Sequence, residues 1–163
     1  MYEKQANSFA SSLLLPGSFV KPFIARNDLT WELIKEVADK CEASLQATAW
    51  RLVTLAKEEY SLIIQYSNEV WIPIKSPSCH HFVERNKFSD YLLKTEIVND
   101  RGFPSSWDEC EATEWIDSSP QLPSIKYSAI SYPEYGLTMT ILYMPEVDGW
   151  EEEGDTEWTP PSF

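Results

Sequence analysis

The sequence predicts an α+β fold in which short N-terminal helices precede a mixed α+β domain. Residues 1–57 place apolar side chains at helical spacing, whereas strand-like runs begin at Tyr60. The charge divides at nearly the same point, because residues 1–57 hold seven basic and six acidic residues and residues 58–163 hold six and twenty. These observations favour two consecutive units with different roles.

Length, charge and cysteine content narrow the function classes. With 163 residues the chain is long enough for one domain with a core, or for one domain and a small helical attachment. The formal charge of -13 disfavours a broad phosphate-binding surface and favours basic partners. No long apolar segment and no secretory signal is visible, so we expect a soluble cytoplasmic protein without a membrane role. The wide spacing of Cys41, Cys79 and Cys110 indicates reduced thiols.

Three helices are predicted in the first part of the chain. The first spans residues 3–15 and ends at a Pro-Gly pair, after which residues 20–26 form a connector. The second spans residues 30–40 and carries one apolar stripe. Ser44 is well placed to cap the third helix, whose apolar positions are Leu45, Ala49, Leu52 and Leu55. The last two helices predict a helix-turn-helix-like pair.

Two β-hairpins are predicted after Tyr60, and we expect their strands to share one sheet. The strands are residues 60–66, 70–75, 124–132 and 137–144. Between the hairpins, residues 88–95 are predicted to be helical and residues 112–117 to form a weaker strand. The tryptophans are interpreted as core or hairpin packing, namely Trp31, Trp50, Trp71, Trp107 and Trp115.

The C-terminal segment has the composition of a solvated tail. Residues 146–163 carry seven acidic residues, no basic residue and the pair Pro160-Pro161. Such a composition cannot bury enough apolar surface to order the chain. We therefore expect this acidic tail to contribute little to stability.

The first sixteen residues carry a family resemblance. They include the run Glu3-Lys4-Gln5-Ala6-Asn7-Ser8-Phe9-Ala10, which leads into a leucine cluster and Pro16. This run resembles the helix that follows the HExxH motif in ImmA/IrrE-type metallopeptidases, where an E-x-x-A-N-x-F-A core precedes a leucine pair and a proline. Residues 29–55 look like the helical pair that follows in the same family, and the remainder is similar in layout to the GAF-like region of its longer members.

The resemblance implies a division of the chain and two site residues. Residues 1–27 would be a remnant of the zinc-peptidase domain, 28–57 a helix-turn-helix-like pair, 58–145 a GAF-like α+β domain and 146–163 the acidic tail. It also implies that Glu3 is the third zinc ligand and that Asn7, one turn later, orients a ligand. Positions i and i+4 share a helix face, so this pairing is sterically sound.

The chain departs from the family pattern at the residues that catalysis requires. A zinc peptidase needs two histidines at i and i+4 with a general-base glutamate, whereas this chain has only His80 and His81, which are adjacent. The Cys79-His80-His81 cluster could hold a stray metal, but an ordinary loop or strand is the favoured interpretation. We therefore expect no activity and no zinc in the isolated chain, and zinc binding only when an HExxH segment is supplied.

Three residues of the third predicted helix are expected to face outward and to contact a partner: Gln46, Thr48 and Arg51. The favoured hypothesis is that the chain is the C-terminal part of an ImmA/IrrE-type peptidase, a family that cleaves repressors in stress or mobile-element regulation. In this hypothesis the chain docks a protein partner, such as a repressor or the missing peptidase half, or senses a signal. The alternatives are a stand-alone transcriptional regulator with a sensor domain, for which DNA contact is disfavoured by charge, and a truncated gene product of an active enzyme.

Overall fold

The structure is a computed structural model of the chain, and it describes residues 15–26, 28–66, 69–70, 73–83, 106–116 and 122–145. Within these residues it contains N-terminal helices and an antiparallel sheet, so the α+β prediction is confirmed. The predicted helix at residues 88–95, the acidic tail and almost all of the predicted first helix lie outside the described residues. No helix in the described part of the chain is long and apolar enough to cross a membrane.

Within the described residues, three helices precede the sheet: α1 (Gly17–Ile24), α2 (Trp31–Lys40) and α3 (Leu45–Leu55). The predictions for α2 and α3 are confirmed, and both helices begin at a side-chain cap. The backbone N–H of Leu33 donates to Thr30 Oγ1, and that of Ala47 donates to Ser44 Oγ, each at 3.2 Å. These caps satisfy backbone donors that a helix start leaves without an intrahelical partner.

The prediction of a connector at residues 20–26 is wrong, because α1 occupies most of that segment. Pro22 lies inside the helix, where it lacks the N–H that an α-helical bond requires. The helix nevertheless forms because Pro16 O accepts from the N–H groups of Phe19 and Val20, and because Val20 is fully buried. Tertiary burial here outweighs the cost of the proline.

The sheet has the strand order β2-β1-β6-β5-β4, and β3 also pairs with β1. Its strands are β1 (Tyr60–Tyr66), β2 (Glu69–Val70), β3 (Ile74–Lys75), β4 (Asp108–Glu111), β5 (Ser124–Tyr132) and β6 (Leu137–Tyr143). All described pairings are antiparallel. The three long strands agree with the predicted ones, and both predicted hairpins join this sheet. The predicted strand at 70–75 is replaced by β2 and β3.

The prediction of a strand at residues 112–117 is wrong. Ala112–Glu114 forms a 3₁₀ turn, and Ile116 makes only an isolated bridge with Val83. The strand in this region is β4, whose sequence Asp-Glu-Cys-Glu lacks apolar alternation because β4 is the end strand of the described sheet and its side chains are largely exposed.

A tight turn joins β5 to β6. Pro133–Tyr135 forms a single 3₁₀ turn, and Gly136 then adopts a φ of 58°. Glycine adopts this left-handed conformation without the steric cost that a Cβ imposes. The turn sets the register in which Tyr132 lies opposite Leu137 and Ser128 lies opposite Ile141.

The sheet is covered on both faces. On one face, the helix face, α2 and α3 pack against alternate residues of β1 and β6, including Leu62, Ile64, Met139 and Ile141. This apolar cluster extends across the predicted boundary between residues 57 and 58. The opposite face, hereafter the far face, packs Tyr127, Leu142 and Ile63 against a second cluster that includes Trp115, Ile116, Val83 and Cys79.

Replacing the N-cap residue Ser44 with alanine is expected to lower the free energy of unfolding by about 1 kcal/mol. The variant removes the oxygen that accepts from the Ala47 N–H at the start of α3. Urea denaturation measures the loss. Ser18→Ala is the matched control, since Ser18 is exposed within α1 and alanine is the better helix former. Equal losses in the two variants would contradict the assigned cap.

Candidate functional site

The two residues assigned by the family resemblance, Glu3 and Asn7, lie outside the described residues. The predicted zinc ligand and its neighbour therefore stay predictions. In the described part of the chain, no group of three His, Cys, Asp or Glu side chains is arranged to hold a metal ion. The candidate site is accordingly built from the helices that precede the sheet.

The Cys79-His80-His81 segment sends its side chains in different directions. Cys79 is buried in the far-face cluster, where its Sγ lies 3.5 Å from Met144 Sδ. His80 is exposed, and His81 Nε2 lies 3.4 Å from Glu59 Oε2. Lys75 Nζ donates to the His81 carbonyl at 3.0 Å and ties the segment to β3. The segment is thus a loop fastened to the sheet, in agreement with the favoured interpretation.

The surroundings of Cys79 and Cys110 raise the pKa of each thiol, which makes both side chains less reactive. Burial raises the pKa of Cys79, and burial together with the nearby Glu114 carboxylate raises the pKa of Cys110 to about 12. The thiolate is the nucleophilic form of cysteine. These two side chains therefore remain protonated at neutral pH and are poor nucleophiles.

The structure separates the three residues predicted to face outward on α3. Gln46 is half-buried, and its Oε1 accepts from Tyr66 Oη at 2.8 Å, which ties α3 to β1. The outward prediction is wrong for Thr48, which is fully buried and donates from Oγ1 to Ser44 O at 2.9 Å. Thr48 follows Leu45 by three residues and precedes Leu52 by four, so it lies on the apolar stripe.

Arg51 is the predicted residue that retains a partly exposed charge on this helix. Its Nε donates to Leu15 O at 3.1 Å, just before α1 begins. A Cβ built on Gly17 would lie 3.8 Å from Arg51 Nη2, so the guanidinium lies beside the first turn of α1. The Thr54 hydroxyl donates to the Arg51 carbonyl at 2.9 Å. The bond to Leu15 O holds the Arg51 side chain against the start of α1 and partly fixes its orientation.

Trp50 is the residue that the sequence interpretation missed. The sequence predicts core or hairpin packing for both Trp50 and Trp31, yet the Trp50 side chain is 42 % exposed on α3, whereas Trp31 is buried. The available signal was its position, since Trp50 follows the buried Ala49 by one residue and lies one turn from Gln46 and Thr54. Tryptophan and arginine are both residue types that are enriched at the energetically important positions of binding surfaces.

α1 adds a second exposed aromatic to the helical layer. Phe19 is 42 % exposed, and its ring lies 5.3 Å from that of Phe23. Lys40 at the end of α2 places its Nζ 4.9 Å from the Phe23 ring and also pairs with Glu36. We call Phe19, Trp50 and Arg51 the helical surface. α1 packs directly against α3, so these residues belong to one helical layer.

An open groove lies at the start of α2. It is lined by Arg26, Asp28, Thr30, Glu32, Leu33 and Glu36. The Thr30 hydroxyl is already engaged in capping α2, and the two glutamates are exposed. The groove therefore offers solvated carboxylates rather than a desolvated set of converging groups, and the helical surface is the stronger candidate.

Comparisons of the sequence with protein-family models and with curated proteins returned no match. The similarity to ImmA/IrrE-type peptidases thus rests on the residues quoted above, and its functional consequences are proposals.

Proposed function

We propose that this chain is a non-catalytic, partner-binding part of an ImmA/IrrE-type regulatory protein, and that its helical surface docks a protein. The proposal rests on the exposure of Trp50, the residue that precedes Arg51 on α3, while the Arg51 guanidinium is held by the Leu15 carbonyl. The expected partner is a repressor or an HExxH-bearing peptidase segment.

The energetics of interfaces favour these two residues. Tryptophan and arginine are the residue types that most often dominate binding energy at protein interfaces. Because Arg51 is already bonded to Leu15 O, less side-chain entropy is lost when a partner binds. The formal charge of -13 favours a partner with a basic surface.

The observed geometry weakens the alternative of a DNA-binding regulator. A recognition helix needs several outward polar side chains to reach base edges and phosphates. On α3, Thr48 is buried, Gln46 is engaged by Tyr66, and Arg51 is bonded to the backbone. Retention on DNA that falls with salt in the manner of phosphate contacts would favour the regulator instead.

Replacing Trp50 with alanine is expected to weaken partner binding by about thirtyfold, which corresponds to a hot-spot loss of about 2 kcal/mol. The measurement is isothermal titration of the chain with a purified repressor of the kind that ImmA/IrrE-type peptidases cleave, and with an HExxH-bearing segment supplied as a separate chain. Thermal unfolding of the variant should change little, because the side chain is 42 % exposed.

Tyr135→Ala is the matched control, since Tyr135 is an exposed aromatic, 70 % accessible, in the turn between β5 and β6. It should bind as the unchanged chain does. The proposal is wrong if the unchanged chain binds neither probe, or if Trp50→Ala binds as tightly as Tyr135→Ala.

A further inference from the structure

β4 forms one edge of the described sheet, since its only strand neighbour there is β5. In an antiparallel pair, consecutive residues alternate between positions that exchange backbone hydrogen bonds with the neighbouring strand and positions whose backbone groups point away from it. The Ala112 N–H donates to Pro123 O at 3.1 Å in the register of the β4–β5 pairs, so Ala112 and Cys110 are bonded positions. The backbone groups of Glu109 and Glu111 therefore point away from β5, toward the edge of the sheet.

Glu109 and Glu111 each keep one backbone group for a further partner. The Glu109 N–H donates to Asp108 Oδ1 at 2.9 Å, and the Glu111 carbonyl begins the 3₁₀ turn Ala112–Glu114, for which Glu111 is the N-cap. The Glu109 carbonyl and the Glu111 N–H have no hydrogen-bond partner in the part of the chain that the structure describes. One residue of a parallel strand can bond both groups, because its N–H donates to the first and its carbonyl accepts from the second.

The charge of β4 determines which kind of strand can be added. The side chains of Glu109 and Glu111 are exposed and lie on the same side of the sheet, where the β5 residues opposite them are Lys126 and Ser124. The Ser124 hydroxyl donates to the Glu109 carboxylate. A second copy of β4 would bring carboxylates against carboxylates, which is unfavourable, whereas lysine or arginine at alternate positions of an added strand would pair with both glutamates.

We propose that β4 binds an extended, basic segment of a partner protein as an additional strand, parallel to β4. The backbone of that segment bonds to Glu109 O and to the Glu111 N–H, and its lysine or arginine side chains face the two carboxylates. In strand addition of this kind, main-chain hydrogen bonds supply affinity and alternate side chains supply specificity. The β4 edge shares no residue with the helical surface, so this proposal does not rest on the function proposed above.

The test compares two substitutions at position 111. Glu111→Pro removes the N–H at a residue whose φ of -63° already matches the angle that the proline ring imposes, and Glu111→Gln removes the same charge but keeps the N–H. Glu32→Gln is the matched control, because it removes an exposed carboxylate from α2. The probe is a capped peptide in which lysine alternates with threonine, with a glutamate-threonine peptide as its counterpart, and titration calorimetry on the full chain measures binding.

We expect the lysine peptide to bind the unchanged chain and Glu32→Gln equally, and the glutamate peptide to bind neither. Glu111→Gln should weaken binding about threefold through the lost ion pair, and Glu111→Pro about tenfold more through the lost hydrogen bond. Without peptide, Glu111→Pro should unfold at the same temperature as Glu111→Gln or higher, because proline at a compatible position restricts the unfolded chain. A nitroxide label at the amino end of the peptide should broaden the amide signal of Asp108 more than that of Glu111, as a parallel strand requires.

Several results would overturn the proposal: no binding of the lysine peptide, equal binding of the two peptides, equal binding by Glu111→Pro and Glu111→Gln, or the reverse order of broadening. A lower unfolding temperature for Glu111→Pro than for Glu111→Gln would also overturn it, because the Glu111 N–H would then already be bonded within the chain. Self-association of the unchanged chain that Glu111→Pro abolishes would assign the edge to a second copy instead.

Discussion

Replacing Trp31 with alanine is expected to lower the free energy of unfolding by about 3–5 kcal/mol, the range measured for large aromatic side chains removed from cores. Trp31 is 1 % exposed at the start of α2, and its Nε1 donates to the Ser128 carbonyl of β5 at 3.1 Å. The side chain therefore joins the helical layer to the sheet by burial and by a hydrogen bond. Domains of this size are stable by about 5–15 kcal/mol, so the variant should lose a large part of its stability.

Two comparisons separate the contributions of Trp31. Trp31→Phe keeps most of the apolar area but removes the Nε1 donor, so its loss should be smaller than that of alanine. Trp50→Ala removes a tryptophan that is 42 % exposed on the neighbouring helix and should change stability by much less. Urea denaturation monitored by far-UV circular dichroism measures all three variants. Similar losses for the alanine variants at positions 31 and 50 would contradict the contrast in burial.

The helices that local signals specify were predictable from sequence. Thr30 and Ser44 supply capping oxygens directly before apolar stripes, and both caps are present in the structure. α1 was missed because Pro22 is a local argument against a helix, whereas the burial of Val20 that favours the helix depends on elements distant in sequence. Sequence rules that consider only neighbouring residues do not include the stabilisation from burying Val20.

The strands show the same limit. β5 and β6 are long and largely buried, which made them recognisable, and the Gly136 turn between them fits the predicted hairpin. β4 was missed because an end strand with exposed side chains has no apolar period. The elements that pack against a strand determine which of its positions are apolar, and those packing partners are known only once the sheet has assembled.

Some features of the candidate site were also predictable from local spacing, whereas others depend on contacts between residues distant in sequence. The burial of Thr48 could have been found from its spacing to Leu45 and Leu52, and the exposure of Trp50 from its place off that stripe. The bond between Arg51 and the Leu15 carbonyl joins residues 36 positions apart and has no signature in the helical pattern. The assignments of Glu3 and Asn7 come from the family resemblance and remain to be tested.

Fusing an HExxH-bearing segment to Met1 is expected to produce a protein that holds about one zinc ion per chain and cleaves a repressor. A catalytic zinc site takes three protein ligands and keeps a position for water. Two histidines one turn apart would come from the added segment, and Glu3 would supply the third ligand with Asn7 positioned behind it. This expectation rests on the proposed family membership, because the donors that this chain offers include only adjacent histidines, His80 and His81.

Glu3→Ala in the fusion tests that assignment, and the expected result is loss of zinc at stoichiometric concentration together with loss of cleavage. Metal affinity depends on several ligands placed in advance, so removing one of three should greatly weaken zinc binding. Lys4→Ala, one position along the same predicted helix, is the control and should leave zinc binding and cleavage unchanged.

Zinc content by atomic emission and repressor cleavage by gel assay measure the outcomes for the chain alone, the fusion and both variants. Cleavage by the chain alone would refute its interpretation as a non-catalytic part. A zinc-loaded, active Glu3→Ala fusion would refute the ligand assignment, and a fusion that neither binds zinc nor cleaves would refute the family resemblance on which both depend.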